Sequence, residues 1–412
     1  MKTPQFVSTA GSYFLCWDEE KIKVWITRIT ETSKQSLSAE IRIRYGEPEK
    51  HLHQARLTLT DTRMRKSLEN ILIDRTDNDP VYKKIDWYAV IEYICVRTLE
   101  KFREGEPVIR LGILENIPPL EYTLYPLVVK NEHNILFGDG GTGKSYLADL
   151  ISVLVQYNIA HLNLTPQAGN VLYLDWETSQ ETIERRVNAI KKGLGIKGKA
   201  FLYRFCEQPL ANDIEQIQQI VTENNISLLI ADSAGMASGM EGDYHSVAIK
   251  YTRALRSLRI TSLSIDHIAK NEGDTPFGSV YKRNIARCAF RIKHSQNPGE
   301  RDLYLALFHH KMNDAPIQKP MGFNIHFEGD AHNLESVTFS NLNISEIPEL
   351  AVNLPLKDRI AELLKRGAML SNEIAEEVNT TQRSVETTLY RNKSKFIRLG
   401  TREWGLLGNE IF

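Results

Sequence analysis

Cysteine is scarce in this chain: four in 412 residues, Cys16, Cys95, Cys206 and Cys288, too far apart to form any C-x-x-C pair. That spacing argues against a zinc ribbon or a disulfide framework and fits a reducing compartment. Net charge is almost absent as well. With 51 Lys and Arg against 52 Asp and Glu, the formal charge is −1, so the chain as a whole is no polycation. Any contact with nucleic acid has to come from local patches. Long apolar runs are missing too. Nothing approaches the ~18 apolar residues of a membrane-spanning helix, and the opening Met-Lys-Thr-Pro-Gln-Phe lacks the apolar core of a signal peptide. The expectation is a soluble, cytoplasmic protein with no membrane partner. There is no heptad array, low-complexity tract or fixed-period repeat. The length leaves room for two or three domains and a large core.

Against that background residues 135–145 stand out: Ile-Leu-Phe-Gly-Asp-Gly-Gly-Thr-Gly-Lys-Ser. An apolar strand runs straight into G-x-x-x-x-G-K-[ST], the phosphate-binding loop. Gly138, Asp139, Gly140, Gly141, Thr142 and Gly143 form a loop whose backbone N–H groups can turn inward around phosphate oxygens. Lys144 is placed to neutralise the β- and γ-phosphates, and the Ser145 hydroxyl to ligate Mg²⁺. Leu147, Leu150, Ile151, Leu154 and Val155 follow at helical spacing, so a helix N-terminus faces the nucleotide.

The rest of the chain divides around this loop. Residues 1–104 read as a separate α+β module, with alternating segments at 12–17, 23–29, 39–45 and 55–60 and a helical pattern at 86–103. In 39–45 one face carries Ala39, Ile41, Ile43 and Tyr45 and the other Glu40, Arg42 and Arg44. Those arginines suit either a solvated face or a nucleic-acid contact. Pro107, Pro118 and Pro119 mark a crossing. From 122 to 343 strands and helices alternate, which predicts an α/β domain with a parallel sheet and helices on both faces. Strands are expected at 135–137, 171–175, 201–205, 227–232 and 262–266, with later β segments at 289–293, 303–309 and 323–327. Residues 356–412 form a third, small module.

Within 122–343, three further strand ends carry chemistry. Ser-Leu-Leu-Ile-Ala-Asp232-Ser is an apolar strand ending in a carboxylate, a Walker B element whose Asp232 holds the Mg²⁺ shell. Val-Leu-Tyr-Leu-Asp-Trp-Glu177 ends the strand after the P-loop helix. A glutamate there can orient or deprotonate an attacking water, or be an ordinary surface residue. Ser-Ile-Asp-His267 ends the strand after Walker B, where a polar side chain can hydrogen-bond the γ-phosphate.

This series, GDGGTGKS (138–145), YLDWETS (173–179), LLIADS (228–233), SIDHIAK (264–270) and GSVYKRNIAR (278–287), resembles the RecA-fold hexameric helicases, in particular their plasmid RepA-like branch of P-loop ATPases. The resemblance covers residues 122–343. It implies a RecA-like fold, ATP and Mg²⁺ as cofactors, Glu177 as catalytic base and His267 as γ-phosphate sensor. It also implies an arginine finger reaching into the neighbouring subunit's site, which Arg287 matches best, with Arg283 and Arg291 close by. Lys311, in Lys-Met-Asn-Asp-Ala-Pro, matches a second cationic contact to the neighbouring nucleotide. Asn313 stands where some relatives have Arg, which puts a two-cation clamp in doubt. The loops at 234–245 and 271–282 would face a ring pore, where Lys270, Lys282 and Arg283 can meet single-stranded DNA. Glu241 and Asp243 make the first loop a poor phosphate contact.

In the C-terminal module, residues 357–365 read as an amphipathic helix ended by Gly367. Ser371 is expected to cap a second helix. Thr380 or Thr381 is expected to cap a third, with Val385, Leu389 and Tyr390 inward. A hairpin over 396–407 completes what resembles a winged helix-turn-helix. Arg383, Arg391, Lys393, Lys395 and Arg398 stand there against Glu386 alone, which favours DNA phosphates. Docking to protein is the alternative. Together these readings describe an ATP-driven hexameric DNA helicase acting in replication of a plasmid, phage or other mobile element. The alternatives are a non-processive DNA-dependent ATPase that loads, remodels or regulates, and a nucleotide-gated scaffold.

Overall fold

The structure, a computed structural model, describes all residues except 1, 10–11, 32–35, 77–83, 105–107, 113–115, 240–242, 269–283, 331, 401 and 408–412. It divides into two compact units, Met1–Pro119 with Ala211–Asn224, and Leu120–Leu210 with Asn225–Phe412.

In the first unit β1 (Gln5–Thr9), β2 (Ser12–Trp17), β3 (Ile22–Glu31), β4 (Leu37–Tyr45) and β5 (Lys50–Thr58) form an antiparallel meander in chain order. Strict alternation fixes its faces. Val24 pairs with Ile43 and Ile26 with Ile41 on the buried side, while Lys23 pairs with Arg44 and Trp25 with Arg42 on the other. Helices α1 (Thr62–Thr76) and α2 (Trp87–Glu104) cover the apolar face through Leu68, Leu72, Trp87, Ile91 and Ile94. Asp61 caps α1 by accepting from the Arg63 and Met64 N–H groups, and Asp86 caps α2 through Ala89. The α1 stripe is narrow and flanked by charge, which is why periodicity alone does not announce it.

The second unit opens with short strands β6 (Tyr122–Tyr125) and β7 (Val128–Val129), then β8 (His133–Gly138), α3 (Lys144–Tyr157), β9 (Thr165–Pro166), β10 (Asn170–Asp175), α4 (Gln180–Gly193) and β11 (Leu202–Phe205). After α5 (Leu210–Glu223), most of which groups with the first unit, come β12 (Ile226–Asp232), α6 (Ala234–Ser238), α7 (Tyr244–Ser257), β13 (Thr261–His267) and β14 (Cys288–Ser295). β15 (Asp302–Met312), β16 (Met321–Gly329) and β17 (Leu334–Leu342) complete a nine-stranded sheet of order β11-β10-β12-β13-β8-β14-β15-β16-β17. The first six strands are parallel, as alternating strands and helices predict. The last three run antiparallel to their neighbours, a departure from a wholly parallel sheet. The connections 296–301 and 313–320 are too short for a crossover helix, so the chain can only fold back.

Beyond α8 (Pro348–Ala351), α9 (Leu356–Leu364), β18 (Met369–Leu370), α10 (Ser371–Glu377), α11 (Gln382–Arg391), β19 (Phe396–Leu399) and β20 (Glu403–Leu406) surround their own core of Ile360, Ile374, Val385, Leu389, Phe396 and Trp404. Two expectations are corrected here. Ser371 is the first residue of α10 rather than its cap, because Glu373 accepts from the Leu370 N–H and Ser371 turns its hydroxyl to Glu386. Tyr390 does not point inward. It is 48% exposed, its ring in a T-shaped contact with Trp404, because the helix's inner stripe is already filled by Val385 and Leu389. Of the two candidate caps for α11, Thr381 accepts from Ser384 N–H.

Candidate nucleotide site

Parallel pairing brings the motif ends together. Asp175 is level with Asp232, Asp232 with Ile265, and His267 with Gly138. All four motif-bearing strands therefore end on one edge of the sheet, the carboxyl edge where open α/β sheets bind ligands.

The loop after β8 is built as a cradle. Gly141 and Gly143 have φ of 71° and 74°, which L side chains rarely adopt. A Cβ at Gly138 would lie 2.6 Å from the Ile292 carbonyl oxygen. Thr142 Oγ1 donates to the Asp139 carbonyl at 2.9 Å, and Lys144 Nζ donates to the Gly138 carbonyl at 3.0 Å and to Asp139 O at 2.5 Å. Burial holds the Lys144 ammonium below its ordinary pKa, while Asp232 and Glu177 pull it back up. A third, longer bond goes to Thr142 Oγ1 at 3.3 Å. A buried ammonium held by the loop's own oxygens is suited to exchange one of them for a phosphate oxygen. Ser145 hydrogen-bonds Asp232, which also accepts from Tyr173 Oη at 2.7 Å. Burial raises the Asp232 carboxyl, opposed by those two donors. Hydroxyl and carboxylate oxygens are the donor set of a hard cation, so Mg²⁺ fits here. Once held by Ser145 and Asp232, it would supply charge neutralisation to the phosphates.

Glu177 is held from three sides. Asp175 Oδ1 accepts from the N–H groups of Glu177 and Thr178 at 2.9 and 3.0 Å, fixing the turn. Ser233 Oγ donates to Glu177 Oε1, and His267 Nε2 lies 3.5 Å from the same oxygen. These contacts lower the Glu177 pKa, His267 contributing most, against an opposing effect of burial. The carboxylate is thus ionised and a third exposed (34%).

Behind the site lies a pair that no sequence signal announced. Asp149, fully buried, meets Arg186 Nε at 2.9 Å, and the guanidinium sits 5.5 Å over the Tyr146 ring. Burial pushes the Asp149 carboxyl up to about 7 despite Arg186. Its pKa is thus above the ordinary 3.8 of an unfolded chain, so the folded state holds its proton more tightly. The stability tied to that proton is lost as pH rises from about 4 through 7. Arg186→Met removes the cation and extends that loss to higher pH. We expect the variant to be destabilised by about 3–5 kcal/mol at pH 8 and by less at pH 6. Urea denaturation at both pH values measures this, and equal losses at the two would refute an ionic role.

Arg287 and Lys311 do not join this cluster. Arg287 N–H donates to the His133 carbonyl at the start of β8, and Ala289 is level with Lys311. Arg287 lies at the sheet end opposite Gly138, about 17 Å away at ~3.3 Å rise per residue, whereas Lys311, level through Ala289 with Ile135, lies about 10 Å along the strand from Gly138 at the same rise and turns its side chain toward that end. There Lys311 Nζ donates to the carbonyls of Asn284 and Ala286 at 2.5 and 2.6 Å, and Arg287 Nε is 3.7 Å from Glu132. A polar cavity of about 530 Å³ opens beside them, lined by Glu132, Arg256, Arg259, Asn284, Arg287 and Asn313. Arg291 is level with Phe137, nearer the P-loop. Lys270, Lys282 and Arg283 lie outside the described residues. Arg383, Arg391, Lys393, Lys395 and Arg398 are all exposed; Lys395 pairs with Asp358 at 3.1 Å, and Arg398 reaches Tyr390 Oη at 3.5 Å.

One comparison with known proteins bears on the class of this site. A family model described as an AAA domain matches residues 99–273. No curated protein matches the chain. Among solved structures, a KaiC-like protein from the hyperthermophilic archaeon Pyrococcus horikoshii OT3 is similar at 14% identity and a TM-score of 0.40, over 54% of this chain and 100% of its own. Likeness that weak says nothing of activity or partners. The P-loop cradle, the strand-end carboxylates and the AAA-domain match define a P-loop NTPase core. No helix among the described residues is long and apolar enough to cross a membrane.

Proposed function

We propose that this chain is an ATP-driven DNA motor of the hexameric, RepA-like helicase type, working in replication of a mobile element such as a plasmid or phage. Its parts would be an accessory module at 1–104, the motor at 122–343 and a winged helix at 356–412. One observation carries the reading: a nucleotide cradle at one end of the sheet and a cationic pair, Arg287 and Lys311, at the other. A protomer so built has cations its own site cannot use. Head-to-tail packing in a ring would bring one protomer's Arg287 to the next protomer's cradle, and such heterologous contacts close into rings. The resemblance of the motif series to RecA-fold hexameric helicases supports the same arrangement. The test is ATP hydrolysis with and without single-stranded DNA, alongside unwinding of a forked duplex. Stimulated turnover with unwinding supports the motor. Stimulated turnover without unwinding leaves a loader or remodeller, and unstimulated turnover a nucleotide-gated scaffold.

The C-terminal module enters this reading through its charge. Strand order β18-β20-β19 sets a three-stranded ribbon in the same module as α10 and α11, which supports the winged-helix reading. Arg383 and Arg391 stand on the exposed side of α11. Deleting residues 356–412 should weaken duplex binding and reduce the salt dependence by about 0.9 for each phosphate the module would neutralise. Fluorescence anisotropy across a salt series measures this. An unchanged slope would move the module to protein docking.

A further inference from the structure

We propose that the outer face of the N-terminal sheet binds single-stranded DNA, stacking bases on Trp25 and Phe14 and holding phosphates with Arg42, Arg44, Lys23 and Arg56. Helices α1 and α2 pack against the apolar face, through the Val24, Ile41 and Leu15 side of the meander. On the other face Phe14 is level with Trp25, and Trp25 with Arg42. The Phe14 and Trp25 rings are 5.1 Å apart, and two guanidinium groups lie over the Trp25 ring, Arg42 at 4.7 Å and Arg44 at 5.6 Å. Among the described residues, neither the Arg42 nor the Arg44 Nε has a hydrogen-bond acceptor.

A face built only for solvation would alternate charge. This one sets Lys23 directly opposite Arg44, two cations that share the single carboxylate of Glu49. The acidic groups are peripheral. Glu40, level with Arg56, is engaged by Arg28 at 3.1 Å and by Gln54; Glu49, in the turn region, lies 3.4 Å from both Lys23 and Arg44. The centre of the face is therefore aromatic and cationic. An antiparallel sheet face carrying rings is a geometry that stacks splayed bases. Rings beside guanidinium groups bind single strands through π-faces and backbone charge, largely without regard to sequence. Duplex DNA, whose bases are already stacked, offers the rings nothing. The rings and cations are indifferent to the sugar. The choice of DNA over RNA rests on the proposed function, but the binding itself needs neither nucleotide nor ring.

The test uses the full chain without nucleotide, and labelled oligodeoxythymidine, oligouridine and duplex DNA in a salt series. Arg42→Gln with Arg44→Gln should weaken oligodeoxythymidine binding on the order of tenfold. It should also lower the slope of log K against log salt by about 1.4, at ~0.7 per phosphate, and leave duplex binding unchanged. In the unmodified protein, iodouracil-substituted oligodeoxythymidine should photo-crosslink within 22–31, the strand bearing Trp25. An unchanged slope, or crosslinks confined to other segments, would overturn the site. Tenfold tighter binding of oligouridine would overturn its assignment to DNA. ATP hydrolysis in the same variants should be at the parental level, so failure here leaves the ATPase reading intact.

Discussion

Glu177→Gln should bind ATP as the parent does and hydrolyse it at least ~10²-fold more slowly, the lower end of what a positioned general base contributes. The amide keeps an oxygen to accept from Ser233 and preserves the turn that Asp175 holds through the Glu177 and Thr178 N–H groups. What it loses is basicity. In the parent, the hydrogen bond to His267 and that from Ser233 keep the carboxyl below its ordinary 4.5. A base at Glu177 would therefore be present throughout the neutral range, and turnover should fall only as pH drops through that lowered value. His267→Ala removes the largest of these contacts, so the acid limb of kcat/KM should move upward. Lys144→Ala gives the opposite dissection, with binding itself lost because the phosphates have no cation. Calorimetry for binding and phosphate release for turnover separate the two. Parental turnover in Glu177→Gln would remove Glu177 from the chemistry.

The P-loop was legible because its string and its flanks both point to the same geometry. An apolar strand, glycines at the turn and a helix pattern from Leu147 leave few other folds for that segment. The strand-end residues were legible for a related reason. In a parallel sheet every apolar run that ends in a polar side chain delivers it to one edge, so Asp232, Glu177 and His267 had to converge if the alternation held. The supports were not legible. Asp149 reads as an ordinary polar residue on a helix, and Arg186 as one of several charges in Glu-Arg-Arg-Val. Only three-dimensional packing shows that they bury each other behind Tyr173. Ser233 could have been noticed as the residue after Walker B, but its reach to Glu177 depends on how β10 and β12 pair. The N-terminal α1 was missed because Leu68 and Leu72 make too narrow an apolar stripe, and β17 because Val337 and Phe339 alternate with polar residues over a short span. The position of Arg287 was the least readable. Linear distance from the P-loop says nothing about which end of a strand a residue occupies, and it is the register of β14 on β8 that sets it at the end opposite Gly138.

That placement makes the behaviour of Arg287→Ala the sharpest test of assembly. Its guanidinium is anchored near Glu132 and the start of β8, so it cannot reach the cradle of its own subunit. If it serves a nucleotide at all, it serves a neighbour's. An arginine finger contributes on the order of 10³-fold or more to turnover by stabilising charge on the transferring phosphoryl group. Arg287→Ala should accordingly bind ATP nearly normally and hydrolyse it more slowly by that factor. The Lys144→Ala chain has the complementary defect, an intact Arg287 and an empty site. Mixed one to one, about a quarter of the interfaces in a head-to-tail ring set a sound cradle against a sound finger, and turnover should recover in that proportion. Lys311→Ala should be rescued the same way, to the extent that its carbonyl contacts with Asn284 and Ala286 yield to a neighbour's phosphate. Arg291→Ala and Arg283→Ala, run in parallel, show whether another arginine of the same segment carries the charge. If no mixture of these variants recovers activity while each chain still binds its partners, the cationic end of the sheet has no role in a neighbour's site, and the ring reading falls with it.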